Sequence, residues 1–261
     1  MKITTQITRA TCKFRQLLTV IVLTLSSSVI AAPPSISTGT PNLNYTENMA
    51  PTQVASAATL SDSDGDSDWA GGTLVVQITT NSETSDEISI PDNLVGTINT
   101  SGLDIQNNAT VIGTLSSSEG TVTNGTALTI TFNASATNAL VQQVLQGISY
   151  RNTSEDPSTS NRTITFTATD KNAETANDTQ TIIINSVNDE PIITIDDTLN
   201  TDEDNTQSLT FTFSDADGDT VSASVSTQAN HGVASVSGTT VSYAPDANFN
   251  GNDSFTLTLT D

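Results

Sequence analysis

Val187-Asn188-Asp189-Glu190-Pro191 closes one run of alternating Thr/Ile/Val sequence and opens another. Upstream, residues 179–185 alternate polar and β-branched side chains, and 192–195 resume that habit. Such period-two alternation marks half-buried strands. Pro191 has no N–H to give to a ladder and holds Glu190 extended, so the five residues read as a hinge between two β domains. Two carboxylates and an amide at such a joint suit a hard cation, and calcium is the cation they suggest. A plain polar turn is the competing reading, because Asn, Asp and Pro are common turn residues.

Outward from the hinge the rhythm continues. Segments 73–80, 86–90, 127–133, 162–169, 180–185, 207–213, 220–225, 233–236, 240–243 and 254–260 read as short strands separated by Asn, Asp, Gly and Ser clusters. One segment departs from it: 135–146 places Leu140, Val141, Val144 and Leu145 on one side of a helix, with Ser135 or Thr137 as N-cap and Gly147 as stop. A single short helix in a β domain packs as a crossover, and no function is assigned to it.

The two halves repeat one another. Each opens with an acid, Glu47 or Glu203, and continues into an Asp-x-Asp-Gly-Asp run. Each then has a Ser-Tyr pair, Ser149-Tyr150 or Ser242-Tyr243, and ends a strand in Thr-Asp, at Asp170 or Asp261. Four landmarks in the same order define a tandem array. The boundaries that follow are 32–187 for a first domain with an insertion that includes the helix, 188–191 for the linker and 192–261 for the second. The first half turns through 171–178 into a closing strand, whereas the second stops at Asp261, so its edge is expected to lie open. The sequence reads as the N-terminal piece of a longer repeat protein, with a natural short form as the other reading.

Composition narrows the function. The chain has 261 residues, 34% of them hydrophobic, with seven Lys and Arg against 29 Asp and Glu. Its start is unlike the rest: Lys2, Arg9, Lys13 and Arg15, then an apolar run over 17–25, then small residues over 26–32. That order is a secretory signal peptide over 1–31, with cleavage after Ala31, and the apolar run is too short for a permanent membrane span. Its removal leaves three bases against 29 acids, a net charge of −26. Nucleic acid and anionic membrane are poor partners for such a surface. Cys12 leaves with the signal segment, so the exported chain has no thiol for disulfide, zinc or nucleophilic chemistry.

The acidic runs are Asp62-Ser63-Asp64-Gly65-Asp66-Ser67-Asp68 and Asp215-Ala216-Asp217-Gly218-Asp219. Calcium takes six to eight oxygens, and each run supplies three or more. An EF-hand is excluded: the glycine falls at the fourth place and the twelfth positions, Thr73 and Ser226, are not Glu. Two runs at matching places favour calcium over solvated turns. His231 is the single histidine and stands in Asn-His-Gly before a strand, a turn setting; no catalytic site follows from it, and Trp69 is the one tryptophan available to line a cleft.

These landmarks, the linker and Asn248-Phe249-Asn250-Gly251-Asn252-Asp253-Ser254-Phe255 together resemble the bacterial cadherin-like tandem repeats of large secreted or surface adhesins. The resemblance implies two cadherin/Ig-like antiparallel β-sandwiches, the second lacking its last strand, with interdomain calcium. It places Glu47, Asn188 and Asp189 with Asp215, Asp217 and Asp261 around the joint. It turns Asp62, Asp64 and Asp170 towards a preceding domain and Glu203 towards a following one, as weak half-sites. Glu155 and Asp156 lie near a further acidic position of animal cadherins but do not align with it. The implied role is a non-catalytic spacer or adhesion module whose partners are further repeats, other cells or matrix. The rivals are a carbohydrate-binding accessory module of a secreted enzyme, which the 4% aromatic content disfavours, and a structural surface-layer component that exchanges strands at an open edge.

Overall fold

A computed structural model describes residues 31–39, 41–91, 96–196 and 198–261; the expected signal segment, apart from Ala31, lies outside the described residues. The strands divide into two groups that form no ladder with each other, one over 35–185 and one over 192–260. By contacts, Ala31–Asp261 is one compact unit.

The first group is built on an eight-stranded sheet. Its order is Leu43–Thr46, Thr175–Asn185, Arg162–Thr169, Thr73–Thr80, Leu128–Phe132, Thr110–Leu115, Asp104–Asn107, Ile98–Ser101. A four-stranded sheet covers it, ordered Thr121–Thr123, Asp86–Ser89, Ser149–Asn152, Thr52–Gln53. Arg162–Thr169 shows the expected alternation: Arg162, Ile164, Phe166 and Ala168 are all fully buried while the intervening threonines are half-exposed. Each such Ile or Phe contributes about 1.5–3 kcal/mol on burial. All pairings are antiparallel but one, Leu43–Thr46 running parallel to residues 182–185 of the closing strand.

A polar pin joins the two sheets inside this core. Asp86 and Arg162 are both fully buried, 3.1 Å apart. Tyr150 Oη and Asn152 Nδ2 donate to Asp86 Oδ1 at 2.5 and 2.7 Å, and Arg162 Nη2 pairs with Glu83 at 2.6 Å. Burial and the Asp86 bond both push the Tyr150 hydroxyl upward, so it stays a donor.

The sequence reading placed no strand between 90 and 127, yet four run there among the described residues, Ile98–Ser101, Asp104–Asn107, Thr110–Leu115 and Thr121–Thr123, the first three joined by tight turns. Gly102 (φ 64°) makes one turn, and Asn108 and Ala109 (φ 47° and 68°) the other. The helix Asn138–Gly147 forms where expected, capped by Thr137 Oγ1, which accepts from the Leu140 N–H at 3.3 Å.

The second group has three small sheets: Ile192–Thr194 with Thr212–Ser214; Gln207–Thr210 with Thr240–Pro245 and Gly232–Ser237; and Ser222–Thr227 with Thr256–Thr260. The stretch 207–213, expected as one strand, breaks at buried Phe211, where the chain passes from one sheet to another. This group is thinly packed. Phe211, Ala234, Val241 and Tyr243 are buried, while Ile192 is 68% and Val233 62% exposed. Between its sheets lies a cleft of about 650 Å³.

Candidate metal centres

Glu47 follows directly on Leu43–Thr46, and its N–H donates to the Asn185 carbonyl at 3.0 Å, so the parallel pair fixes its place. Its side chain is 3% exposed, and neither carboxylate oxygen has a hydrogen-bond partner. Glu155, from the loop after Ser149–Asn152, and Asp189 of the linker each bring a carboxylate oxygen within 4.8 Å of it. Asn48 Nδ2 holds Glu155 at 2.9 Å. The linker is tied to the second domain by the Asp189 N–H, which donates to Asp217 Oδ2 at 2.6 Å, and by Asn188 Nδ2, which donates to Asp261 Oδ2 at 2.6 Å. Asp215, Asp217 and Asp219 form an adjoining group, turned at Gly218 (φ 74°) and closed by the Asp219 N–H on Asp215 Oδ1 at 2.9 Å.

Electrostatics treats these acids as one knot. Burial raises the Glu47 carboxyl above its ordinary value; the nearby Val187 N–H pulls it back without reaching hydrogen-bond geometry, and Asp189, Asp217 and Glu155 push it up again. Desolvation also raises Asp189, followed by the charges of Glu155, Asp217 and Asp215. Repulsion and dry surroundings are what a cation would relieve.

A second centre lies within the first domain. Asp62, Asp68 and Asp170 are 3%, 4% and 3% exposed, with one oxygen of each within 4.8 Å of the others. Asp62 Oδ1 accepts the Asp64 N–H, and Asp170 Oδ1 accepts the N–H groups of Asn172 and Glu174, at 2.8, 2.8 and 2.9 Å. The Oδ2 atoms of Asp62 and Asp170 have no partner. Asp68 is held by the Lys171 ammonium and by Asn172 Nδ2. Burial, then the bond from Asp64 working against it, then the charges of Asp68, Asp170 and Asp64 leave the Asp62 carboxyl raised.

The helix positions this second loop. Asn138, its first residue, accepts at Oδ1 from the Asp62 N–H (2.7 Å) and from Trp69 Nε1 (2.8 Å), and gives Nδ2 to the Asp62 carbonyl at 3.0 Å. The loop also passes close to the Thr-Asp strand end: a Cβ on Gly72 would lie 2.6 Å from the Thr169 carbonyl, so only glycine fits there.

Of the residues expected at the joint, Glu47, Asn188, Asp189, Asp215, Asp217 and Asp261 are brought to it. Asp62 and Asp170 come together, but Asp64 turns away and its Oδ2 accepts from the Ala32 N–H at 2.7 Å. Glu203 is exposed and belongs to neither centre. Sequence reading missed two members: Asp68, which stands in the quoted acidic run, and Glu155, whose loop position gives no periodic signal. His231 stacks its ring on Phe249 at 4.4 Å, the contact of a turn residue.

The class that this geometry defines is an all-β protein of short, almost wholly antiparallel strands. More particularly, residues 188–261, from the first linker amide onward, match the family described as "Bacterial Ig domain". No curated protein matches the sequence. Among solved structures, "Protocadherin Gamma B2 extracellular cadherin domains 3-6" is similar with a TM-score of 0.35 and 12% identity, over 87% of this chain and 46% of that one. "Chimeric titin Z1Z2 functionalized with a KLER exogenous peptide from decorin" is similar with a TM-score of 0.24 and 9% identity, over 84% of this chain and 85% of that one. This chain therefore spans less than half of the protocadherin fragment. Bacterial Ig domains are usually found outside the cell or on its surface and are typically non-catalytic. Among the described residues, no helix is long and apolar enough to cross a membrane.

Proposed function

We propose that the protein is an exported spacer or adhesion module, stiffened by calcium at the joint between its two domains and joined in use to further repeats, to other cells or to matrix. One observation carries this reading. Among the described residues, seven buried side-chain oxygens have no hydrogen-bond partner, and six of them are carboxylate oxygens of Glu47, Asp62, Asp170, Asp189 and Asp215. Buried polar groups are otherwise satisfied, and an unpaired one costs about 1–3 kcal/mol, more when charged. Six such atoms gathered into three acidic groups fit a cation that prefers oxygen.

Glu47 and Glu155 would hold the ion from the first domain, Asp189 from the linker, and Asp215 and Asp217 from the second. When bound, calcium supplies the double charge that these carboxylates lack. The chain's own part is orientation: Asn188 and the Asp189 N–H already clamp the linker to Asp261 and Asp217, so cancelling the repulsion fixes the swing of one domain against the other. Asp62, Asp68 and Asp170 would hold an ion inside the first domain.

Small-angle scattering of the full chain tests this. Calcium at ~10 mM, against chelator and a magnesium control, is expected to narrow the distribution of domain separations, and Asp189→Ala with Asp217→Ala to abolish that change while circular dichroism keeps its strand signal. An unaltered calcium response in the double variant removes the joint from the account.

A further inference from the structure

The register of the first strand carries past its end to the acidic loop. Ser35–Ser37 runs antiparallel to Thr59–Ser61, with Ser35 opposite Ser61 and Ser37 opposite Thr59. Continued to the residues beyond Ser35 and Ser61, that register sets Ala32 opposite Asp64, and there the Ala32 N–H donates to Asp64 Oδ2 at 2.7 Å. The approach is held from both sides. Pro33 and Pro34 have ring-fixed φ and leave little swing between the strand and Ala32, and Pro34 is buried. At the far end of the strand the Thr38 N–H and hydroxyl both donate to Asp178 Oδ2, at 2.8 and 3.0 Å, and Ile36 packs against the core.

Charge gives this contact its weight. Residues 32–261 hold three Lys and Arg: Arg151, Arg162 and Lys171. Arg151 pairs with Glu87 and Arg162 with Asp86 and Glu83, so one side-chain cation reaches the loop, Lys171 on Asp68. Facing it are Asp62, Asp64, Asp66 and Asp68 along the loop and Asp170 at the strand end beside it. Asp66 has the helix, its Oδ1 accepting the Asn138 N–H at 2.7 Å. Asp64 Oδ2 has the Ala32 nitrogen, and that nitrogen belongs to the peptide bond at which the sequence places the export cut.

We propose that the cut after Ala31 is a maturation step that builds a cation into the first domain: the new terminal ammonium of Ala32 pairs with Asp64 and pins the first strand to the acidic loop. This rests on the reading of the chain as exported. The processing peptidase adds water across the Ala31–Ala32 amide. The C–N bond breaks, the water oxygen joins the Ala31 carbonyl carbon to give a carboxylate, and both water protons go to the Ala32 nitrogen, which becomes an ammonium. A nitrogen with one N–H then has three and a full positive charge, and its bond to Asp64 becomes charge-assisted on both sides. Before the cut Asp64 faces a neutral amide; afterwards the loop has two cations, the ammonium on Asp64 and Lys171 on Asp68. The lock forms only on chains whose leader has been removed, and it holds Asp64 away from Asp62, Asp68 and Asp170.

The full chain is secreted from a bacterial host and its N-terminus read by mass spectrometry, with Ala32 expected as the first residue. A carbodiimide, added in chelator, then joins ammonium and carboxylate groups that touch. The expected products are an Ala32–Asp64 amide and a Lys171–Asp68 amide, and Asp64→Asn should lose the first and keep the second. Inserting Gly-Ser between Ala31 and Ala32 moves the ammonium off the loop. Hydrogen exchange of the 35–37 and 59–61 amides should then quicken about two- to fivefold, the range of an exposed ion pair, while the other strands exchange as before. The proposal is overturned if the first residue lies elsewhere, if no Ala32–Asp64 amide forms, or if the inserted chain exchanges at the parent's rate. A leader cut at another residue leaves the export reading standing; a leader that is never cut removes both.

Discussion

At the scale of single residues, the carboxylates set how the protein answers to pH. Glu47 and Asp189 are both raised above their ordinary 4.5 and 3.8. An acid raised by folding favours the folded joint below its unfolded value and loses that contribution as pH rises through the folded one. In chelator the joint should therefore hold better near pH 4–5 than at pH 7. Calcium reverses the order, because the ion needs ionised ligands: its increment in melting temperature should shrink as pH falls from 7 to 5, and equal increments at both would refute the ligand assignment. Asp253 behaves oppositely. Burial pushes it up, but the N–H groups of Asn230, His231 and Ser254 and the Tyr243 hydroxyl outweigh that and bring it down to about 2. Its contribution is present above the ordinary 3.8 and is lost as pH falls towards 2, so the second domain should loosen across that window, and Asp253→Asn should flatten the profile seen by its amide exchange. Arg162 occupies the corresponding place in the first domain as a buried cation. Arg162→Met leaves Asp86 charged without its cation and should cost about 3–5 kcal/mol in urea unfolding.

At the scale of elements, the helix does more than fill a crossover. Asn138→Ala would strand the Asp62 N–H and the Trp69 indole N–H together, each an unsatisfied group of about 1–3 kcal/mol. The expected result is a red-shifted emission from Trp69, the sole tryptophan, and a weaker calcium response of the first domain with the joint's response intact; unchanged emission would show that the helix does not hold the loop. This bond network was not legible in sequence. Helical spacing of apolar residues announced the helix, alternation the Thr-rich strands, and the break in that alternation the hinge, because each is a local pattern. The Asp62–Asp170 meeting was legible only through resemblance, and Asp68 and Glu155 escaped because loops at separations of about a hundred residues carry no period. The three strands between 98 and 115 escaped for another reason. They are four to six residues long, Asn- and Thr-rich, and joined by turns that require positive φ at Asn108 and Ala109, and alanine is not a residue from which such a turn is read.

At the scale of the whole molecule, two strand groups of unequal packing meet at one acidic cluster. Among the described residues, the buried members of the large hydrophobic cluster all lie between Tyr45 and Ile184. Thermal unfolding should therefore show the second domain melting first, with calcium bringing the two transitions together. For dissociation constants of about 10⁻⁴–10⁻³ M, ~10 mM calcium adds roughly 1.4–2.7 kcal/mol per site, a sizeable share of a stability of about 5–15 kcal/mol. Two transitions that stay equally far apart with and without calcium would separate the joint from stability. The parallel pairing of Leu43–Thr46 with residues 182–185 has a consequence of its own. These are strands near the two ends of the first domain, and tension applied along the chain pulls them in opposite directions along their length. Their hydrogen bonds are then loaded together in shear, where a hairpin would peel open one bond at a time. A domain closed this way yields late and all at once under load, where one closed by a hairpin would give way early and by degrees.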